Sequence, residues 1–125
     1  RAIIEGICFG TRTILDSFEN GGYTSTEMTV GGGATASRLW MQIHADTAGI
    51  PVRIPASTDA PSMGSAILAA NGAGHFASID EGIEAMVKPG ILIEPDTAMT
   101  AAYEIVYQQY CALYPALKQV REQSK

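Results

Sequence analysis

The chain has 125 residues, 46% of them hydrophobic and 17% charged, with a formal net charge of −5. That length supports one domain with a sizeable core, and that balance is globular rather than disordered. The eight Lys and Arg are scattered, which speaks against a nucleic-acid or anionic-membrane partner, and no apolar run reaches the length of a membrane span.

Arg1-Ala2-Ile3-Ile4-Glu5 carries neither an initiator Met nor a signal-peptide pattern and reads as the interior of a helix. A piece of a longer chain is therefore expected. From residue 2 to about 19, helical spacing gathers Ile3, Ile4, Ile7, Cys8, Ile14, Leu15 and Phe18 on one face. Gly6 and Gly10 lower helix propensity by about 1 kcal/mol each, so close packing against another element is expected there. Asn20-Gly21-Gly22 is a stop and turn.

Glu27 to Val30 reads as a short strand running into Gly31-Gly32-Gly33, and a helix is expected from about Thr35 to Ala48. Leu39, Trp40 and Ile43 are its expected buried stripe, with Gly49 as a left-handed cap. Val52-Arg53-Ile54 reads as a second strand, which makes a βαβ unit with a parallel pair. Ser57, Thr58 and Asp59 are alternative N-caps for a helix through Ala70 with Pro61 in its first turn. The small residues Gly64, Ser65 and Ala66 imply close approach to the sheet or to the preceding helix. Ser78-Ile79-Asp80-Glu81 is a capping box for a short helix with Ile79, Ile83, Met86 and Val87 inward. Ile91-Leu92-Ile93-Glu94-Pro95 is either a short edge strand or an extended connector. From about Thr97 a long helix aligns Met99, Tyr103, Val106, Tyr110, Leu113, Leu117 and Val120, and Pro115 is expected to kink or break it. The Arg121–Lys125 tail is expected to fray.

The chemistry concentrates at the glycine triplet. Glycine lets another group approach bare backbone, and a following helix points unpaired N–H groups and the positive end of its dipole at the turn. Such a junction suits an anion or a polar heterocycle such as a nucleotide. In open α/β sheets, ligands collect beyond the carboxyl ends of the strands, where this turn lies. The spacing is not GxGxxG and no Lys-Ser or Lys-Thr follows, so neither the dinucleotide fingerprint nor a P-loop applies. Cys8 and Cys111 read as buried, reduced thiols. His44 and His75 have no partners at metal-ligand spacing, and no nucleophilic triad can be assembled.

The collinear set Gly31-Gly32-Gly33-Ala34, Ser37, Leu39-Trp40, Gln42, Ala45-Asp46, Gly49, Pro51-Val52, Pro55, Met63-Gly64-Ser65-Ala66, Ala69-Ala70, Gly72, Gly74, Ser78-Ile79, Met86-Val87 and Pro95, with Tyr103, Tyr107, Tyr110 and Tyr114, resembles the C-terminal domain of the FGGY carbohydrate kinases. Phe9-Gly10-Thr11-Arg12 looks closer to ribulokinase-like members than to glycerol kinase. The resemblance implies an α/β fold, the C-terminal part of an actin-like, ribonuclease-H-like ATPase domain, with residues 1–125 as a single segment. It implies that Gly31, Gly32, Gly33 and Ala34 lie along the adenosine of ATP and that Ser37 either faces the base or caps the helix. Gln42 and Asp46 are read as tying their helix to neighbouring backbone, and the tyrosines as core or as packing against absent parts of the chain.

The implied reaction transfers the ATP γ-phosphoryl group to a hydroxyl of a sugar, a pentulose or polyol, in the cytoplasm. The general base, the sugar pocket and the loops for phosphate and Mg²⁺ are expected in the missing N-terminal part of the same chain, so this segment alone is expected to be inactive, with an unpaired sheet edge and uncovered apolar helix faces. A homo-oligomer is compatible with the sequence. A dinucleotide-binding oxidoreductase fails on glycine spacing and on the absence of an acidic residue at the end of the second strand. A non-catalytic packing module would differ in having its glycine turn buried and fully hydrogen-bonded.

Overall fold

Local chemistry sets most element boundaries in the computed structural model, which describes residues 1–57 and 59–123. The order is α1 (Ala2–Asn20), β1 (Met28–Thr29), a 3₁₀ turn (Gly33–Ala36), α2 (Arg38–Ala48), β2 (Val52–Ile54), α3 (Ala60–Gly72), α4 (Ile79–Met86), β3 (Ile91–Ile93) and α5 (Thr97–Gln123). The single helix expected from Thr35 is two pieces. The 3₁₀ turn closes first, and Ser37 in an extended conformation then starts α2 by accepting the Trp40 N–H at 3.3 Å. Gly49 ends α2 in the left-handed region at φ 69°. Asp59 caps α3, Pro61 sits in its first turn, and the alternative cap Thr58 lies outside the described residues. In the capping box, Ser78 Oγ accepts the Glu81 N–H, while Glu81 reaches one residue further back, to the Ala77 N–H at 2.7 Å.

The strand order is β1-β2-β3, with β1 parallel to β2 and β2 antiparallel to β3. The expected βαβ unit is present, and the segment left open between strand and connector is an edge strand. Among the described residues β1 has no strand on its other side.

Two apolar clusters lie on opposite sides of α2. Met41 and Ala45 pack with Val52 and Ile93 of the sheet, and Ile43 packs with Cys8, Phe9, Tyr103 and Tyr107 of α1 and α5. Trp40 touches both. The molecule therefore layers as sheet, then α2, then the α1–α5 pair. Being sandwiched, α2 is buried from Met41 to Thr47 except for the half-buried Gln42, while Leu39 points out. The expected stripe keeps Ile43, with Trp40 half-buried, and loses Leu39. The Phe9 ring sits 5.5–6.0 Å from those of Tyr103, Tyr107 and Tyr110, a spacing typical of favourable aromatic pairs.

Several expected inward faces hold only in part: Ile4 and Cys8 on α1 and Tyr103 on α5 do join the core. On α1 the core side is Cys8 and Phe9, whereas Ile3, Ile7, Ile14 and Phe18 are exposed, Ile3 by 81%. On α5 the core side is Tyr103 and Tyr107, with Tyr110 half-buried and Val106, Leu113 and Leu117 exposed; the Val120 side chain lies outside the description. On α4, Ile79, Ile83 and Val87 are exposed and Gly82 is the buried residue. Helical periodicity finds an apolar face, but α1 and α5 each have more than one, and contact with a neighbour decides which turns inward.

Close packing also falls elsewhere than expected. A Cβ on Gly6 or Gly64 would meet nothing within 4 Å, and one on Gly10 would meet only the Tyr110 hydroxyl, at 3.6 Å. Gly82 is the tight position between α4 and α3, where a Cβ would stand 2.9 Å from Ile67 Cγ2. The helix α5 runs on through Pro115 to Gln123, so Arg121 and Glu122 are helical rather than frayed, and Ser124 and Lys125 lie outside the described residues. Cys8 is buried but Cys111 is exposed, and both are free thiols. Burial pushes the Cys8 thiol up to about 11, so it stays protonated near neutrality.

Candidate functional site

The parallel strands β1 and β2 both end at one rim of the sheet, and an open cleft of about 770 Å³ lies there. Gly31, Gly32 and Gly33 form one wall, Ile54 and Ile91 the floor where β2 and β3 pair, and Asp59, Ala60 and Pro61 at the start of α3 the opposite wall. The size falls in the range of ordinary small-molecule sites.

The glycines are there for backbone reasons. Gly32 holds φ 89° and ψ −175°, a region essentially reserved for glycine. Gly33 does not need positive φ, and a Cβ there would meet nothing of this chain within 4 Å, so its lack of a side chain leaves the cleft open. Among the described residues, no acceptor stands against the N–H groups of Gly31, Gly32 or Gly33. Thr35 braces the turn by donating its N–H and its hydroxyl, the latter at 2.6 Å, to the Gly32 carbonyl.

Of the five residues expected to meet a nucleotide, the structure brings Gly31, Gly32 and Gly33 to the cleft. Ala34 turns inward and packs on the Met41–Val52 cluster. Ser37 spends its hydroxyl on the α2 cap and does not line the cleft. Sequence reasoning missed the opposite wall. Asp59 reads along the chain only as a helix cap, and its facing the glycines follows from the strand order.

The electrostatics are one-sided. Among the described residues Asp59 is the sole charged side chain lining the cleft. The nearest strand cation, Arg53, is already held by both carboxylate oxygens of Glu27 at 2.5 Å. That pairing holds the Glu27 carboxyl below its usual range. Gln42 and Asp46 are bonded within the fold. Gln42 Nε2 donates to Asp46 Oδ1 and to the Glu94 carbonyl, and Asp46 Oδ1 also accepts the Asp96 N–H at 2.8 Å, so the pair ties α2 to the β3–α5 connection. His44 is buried, and burial lowers its pKa. Among the described residues no three His, Cys, Asp or Glu side chains converge as a metal site, and no helix is long and apolar enough to cross a membrane.

A strand-helix-strand unit with an open glycine turn at its carboxyl rim defines an α/β protein with a candidate cleft, and its backbone superposes on sugar kinases of the actin-like ATPase fold. A crystal structure of xylulose kinase from Rhodospirillum rubrum matches with a TM-score of 0.80 at 30% identity, covering 96% of this chain and 24% of that one. A ligand-bound xylulose kinase from Lactobacillus acidophilus matches with a TM-score of 0.87 over 100% of this chain and 25% of that one; at 19% identity it speaks to the fold alone.

The chain belongs to the FGGY family of carbohydrate kinases, whose C-terminal-domain model matches residues 1–73. It is 35% identical over 120 residues to a xylulose kinase of Staphylococcus epidermidis, covering 96% of this chain and 24% of that protein. It is 42% identical over 79 residues to a ribulokinase of Mycolicibacterium smegmatis, covering 63% and 14%. The chain thus spans about a quarter of the length of the xylulose kinase it matches.

Proposed function

We propose that residues 1–125 form the nucleotide-side part of an ATP-dependent kinase that phosphorylates a hydroxyl of a pentulose or related polyol. The observation that carries this reading is the glycine turn, which opens onto a cleft with its N–H groups unpaired instead of being filled and bonded by its own chain. The competing reading, a non-catalytic module whose glycines only make a turn, requires the opposite. The family supports phosphoryl transfer, and the named relatives, xylulose kinase and ribulokinase, support a ketopentose acceptor.

In this reading Gly31, Gly32 and Gly33 lie along the nucleoside of ATP, Ala34 fixes the turn to the sheet, and Ser37 orients α2 behind it. ATP supplies the transferred phosphoryl group; catalysis of such transfers rests on positioning and on charge stabilisation across a closed cleft. No residue of this segment is assigned as general base. The base, the sugar contacts and the phosphate-binding loops are assigned to the rest of the polypeptide, and Mg²⁺ to the nucleotide phosphates and that same part. The reaction belongs in the cytoplasm, and the 125 residues alone are expected to phosphorylate nothing.

The test is kinetic, in the full-length protein. Gly33→Val adds a side chain whose Cβ has nothing within 4 Å among the described residues, at a position that lines the cleft, so it should raise KM for ATP about tenfold or more and leave KM for the sugar within twofold. An unchanged KM for ATP would remove the glycine turn from the site.

A further inference from the structure

We infer that Asp59 is a specificity-determining residue: its carboxylate accepts hydrogen bonds from ribose hydroxyls of the bound nucleotide, so that the cleft selects ribonucleotides over deoxyribonucleotides. The inference rests on the nucleotide reading of the glycine cleft and adds the wall opposite the glycines.

Three observations lead there. First, among the described residues the lining contains no Lys or Arg, and its only charge is the Asp59 carboxylate. A negative wall repels phosphates, so the part of the nucleotide beside it is the uncharged nucleoside. Second, apart from Thr35, whose hydroxyl already donates to the Gly32 carbonyl, the other side chains of the lining, Ala36, Ile54, Ala60, Pro61 and Ile91, are apolar. They can cover a flat base but cannot satisfy a hydroxyl. Third, Asp59 is only partly used by its own helix. Its Oδ1 accepts the Ser62 N–H at 3.3 Å, a long bond, and among the described residues Oδ2 has no partner. An ionised carboxylate only accepts hydrogen bonds. The ribose hydroxyls are the nucleoside donors with two vicinal O–H groups, matching a carboxylate's two oxygens.

Capping and recognition can be separated by substitution. Ser and Asn cap helices about as well as Asp, so Asp59→Ser keeps the cap but shortens the reach, and Asp59→Asn keeps an accepting oxygen without the charge. In the full-length protein, dissociation constants for ADP, 2′-deoxy-ADP and 3′-deoxy-ADP are measured calorimetrically, alongside thermal melts. The unsubstituted protein should bind ADP about tenfold or more tighter than at least one deoxy analogue, as expected for a charge-assisted hydrogen bond. Asp59→Ser should weaken ADP to the level of that analogue and abolish the preference, and Asp59→Asn should fall between. No preference in the unsubstituted protein, or a preference that survives Asp59→Ser, overturns the assignment. Gly33→Val, measured in parallel, separates the two claims. If it weakens all three ligands while Asp59→Ser changes nothing, the cleft binds nucleotide and Asp59 has no part in it. If it weakens none, the cleft reading fails and this one with it.

Discussion

Two residues five apart divide the work at the strand-to-helix junction. Gly32 supplies a backbone conformation closed to other residues, and Ser37 supplies the oxygen that lets α2 begin. The local sequence leaves two roles open for that hydroxyl, facing a base or capping the helix. The structure shows the capping bond, in which the Ser37 hydroxyl accepts the Trp40 N–H, and Ser37 is not among the residues lining the cleft, so we propose the capping role. Ser37→Ala should therefore lower the unfolding free energy by about 1 kcal/mol while changing ATP affinity less than twofold. Urea denaturation and calorimetric titration of the same preparation would check both. A large loss of affinity at unchanged stability would return Ser37 to the binding surface. Asp59 could not be read in the same way, since a capping residue and a cleft-lining residue look identical until the fold sets one strand end beside another.

At the scale of elements, the parts fixed by neighbours in sequence were legible. Gly49 after a helical run and Ser78 with Glu81 three residues later carry their partners within a turn or two, and Val52-Arg53-Ile54 shows its strand alternation in the sequence itself. Which face of each helix turns inward was only partly legible, because that depends on what lies across from it: Cys8, Ile43 and Tyr103 are buried as expected but Ile7, Leu39 and Leu113 are not. Pro115 shows the same limit: its local cost is real, yet α5 continues through it. Gly90 is the clearest long-range constraint. A Cβ there would lie 1.7 Å from the Ile54 carbonyl oxygen, so the chain entering β3 passes directly against the end of β2. Gly90→Ala should push β3 off the sheet and reduce stability by about 2–3 kcal/mol, read as a lower urea midpoint. An unchanged midpoint would mean that the β2–β3 junction is looser than its geometry.

Taken whole, the molecule has one side committed and another bare. The α2 sandwich is filled on both sides, while Ile3, Ile7, Ile14 and Phe18 on α1 and Leu113, Tyr114 and Leu117 on α5 remain uncovered, and β1 keeps a free edge. Apolar faces and strand edges of this kind drive association. The 125 residues expressed alone should self-associate in light scattering or melt without cooperativity; a monodisperse monomer with a sharp melt would contradict the incomplete-sheet account. The most direct test of the central claim is a crystal structure of the full-length protein with ADP bound. The account predicts the nucleoside in van der Waals contact with Gly32 and Gly33, against N–H groups that have no acceptor among the described residues. Nucleotide bound elsewhere, with another segment of the same polypeptide filling the turn, would contradict it.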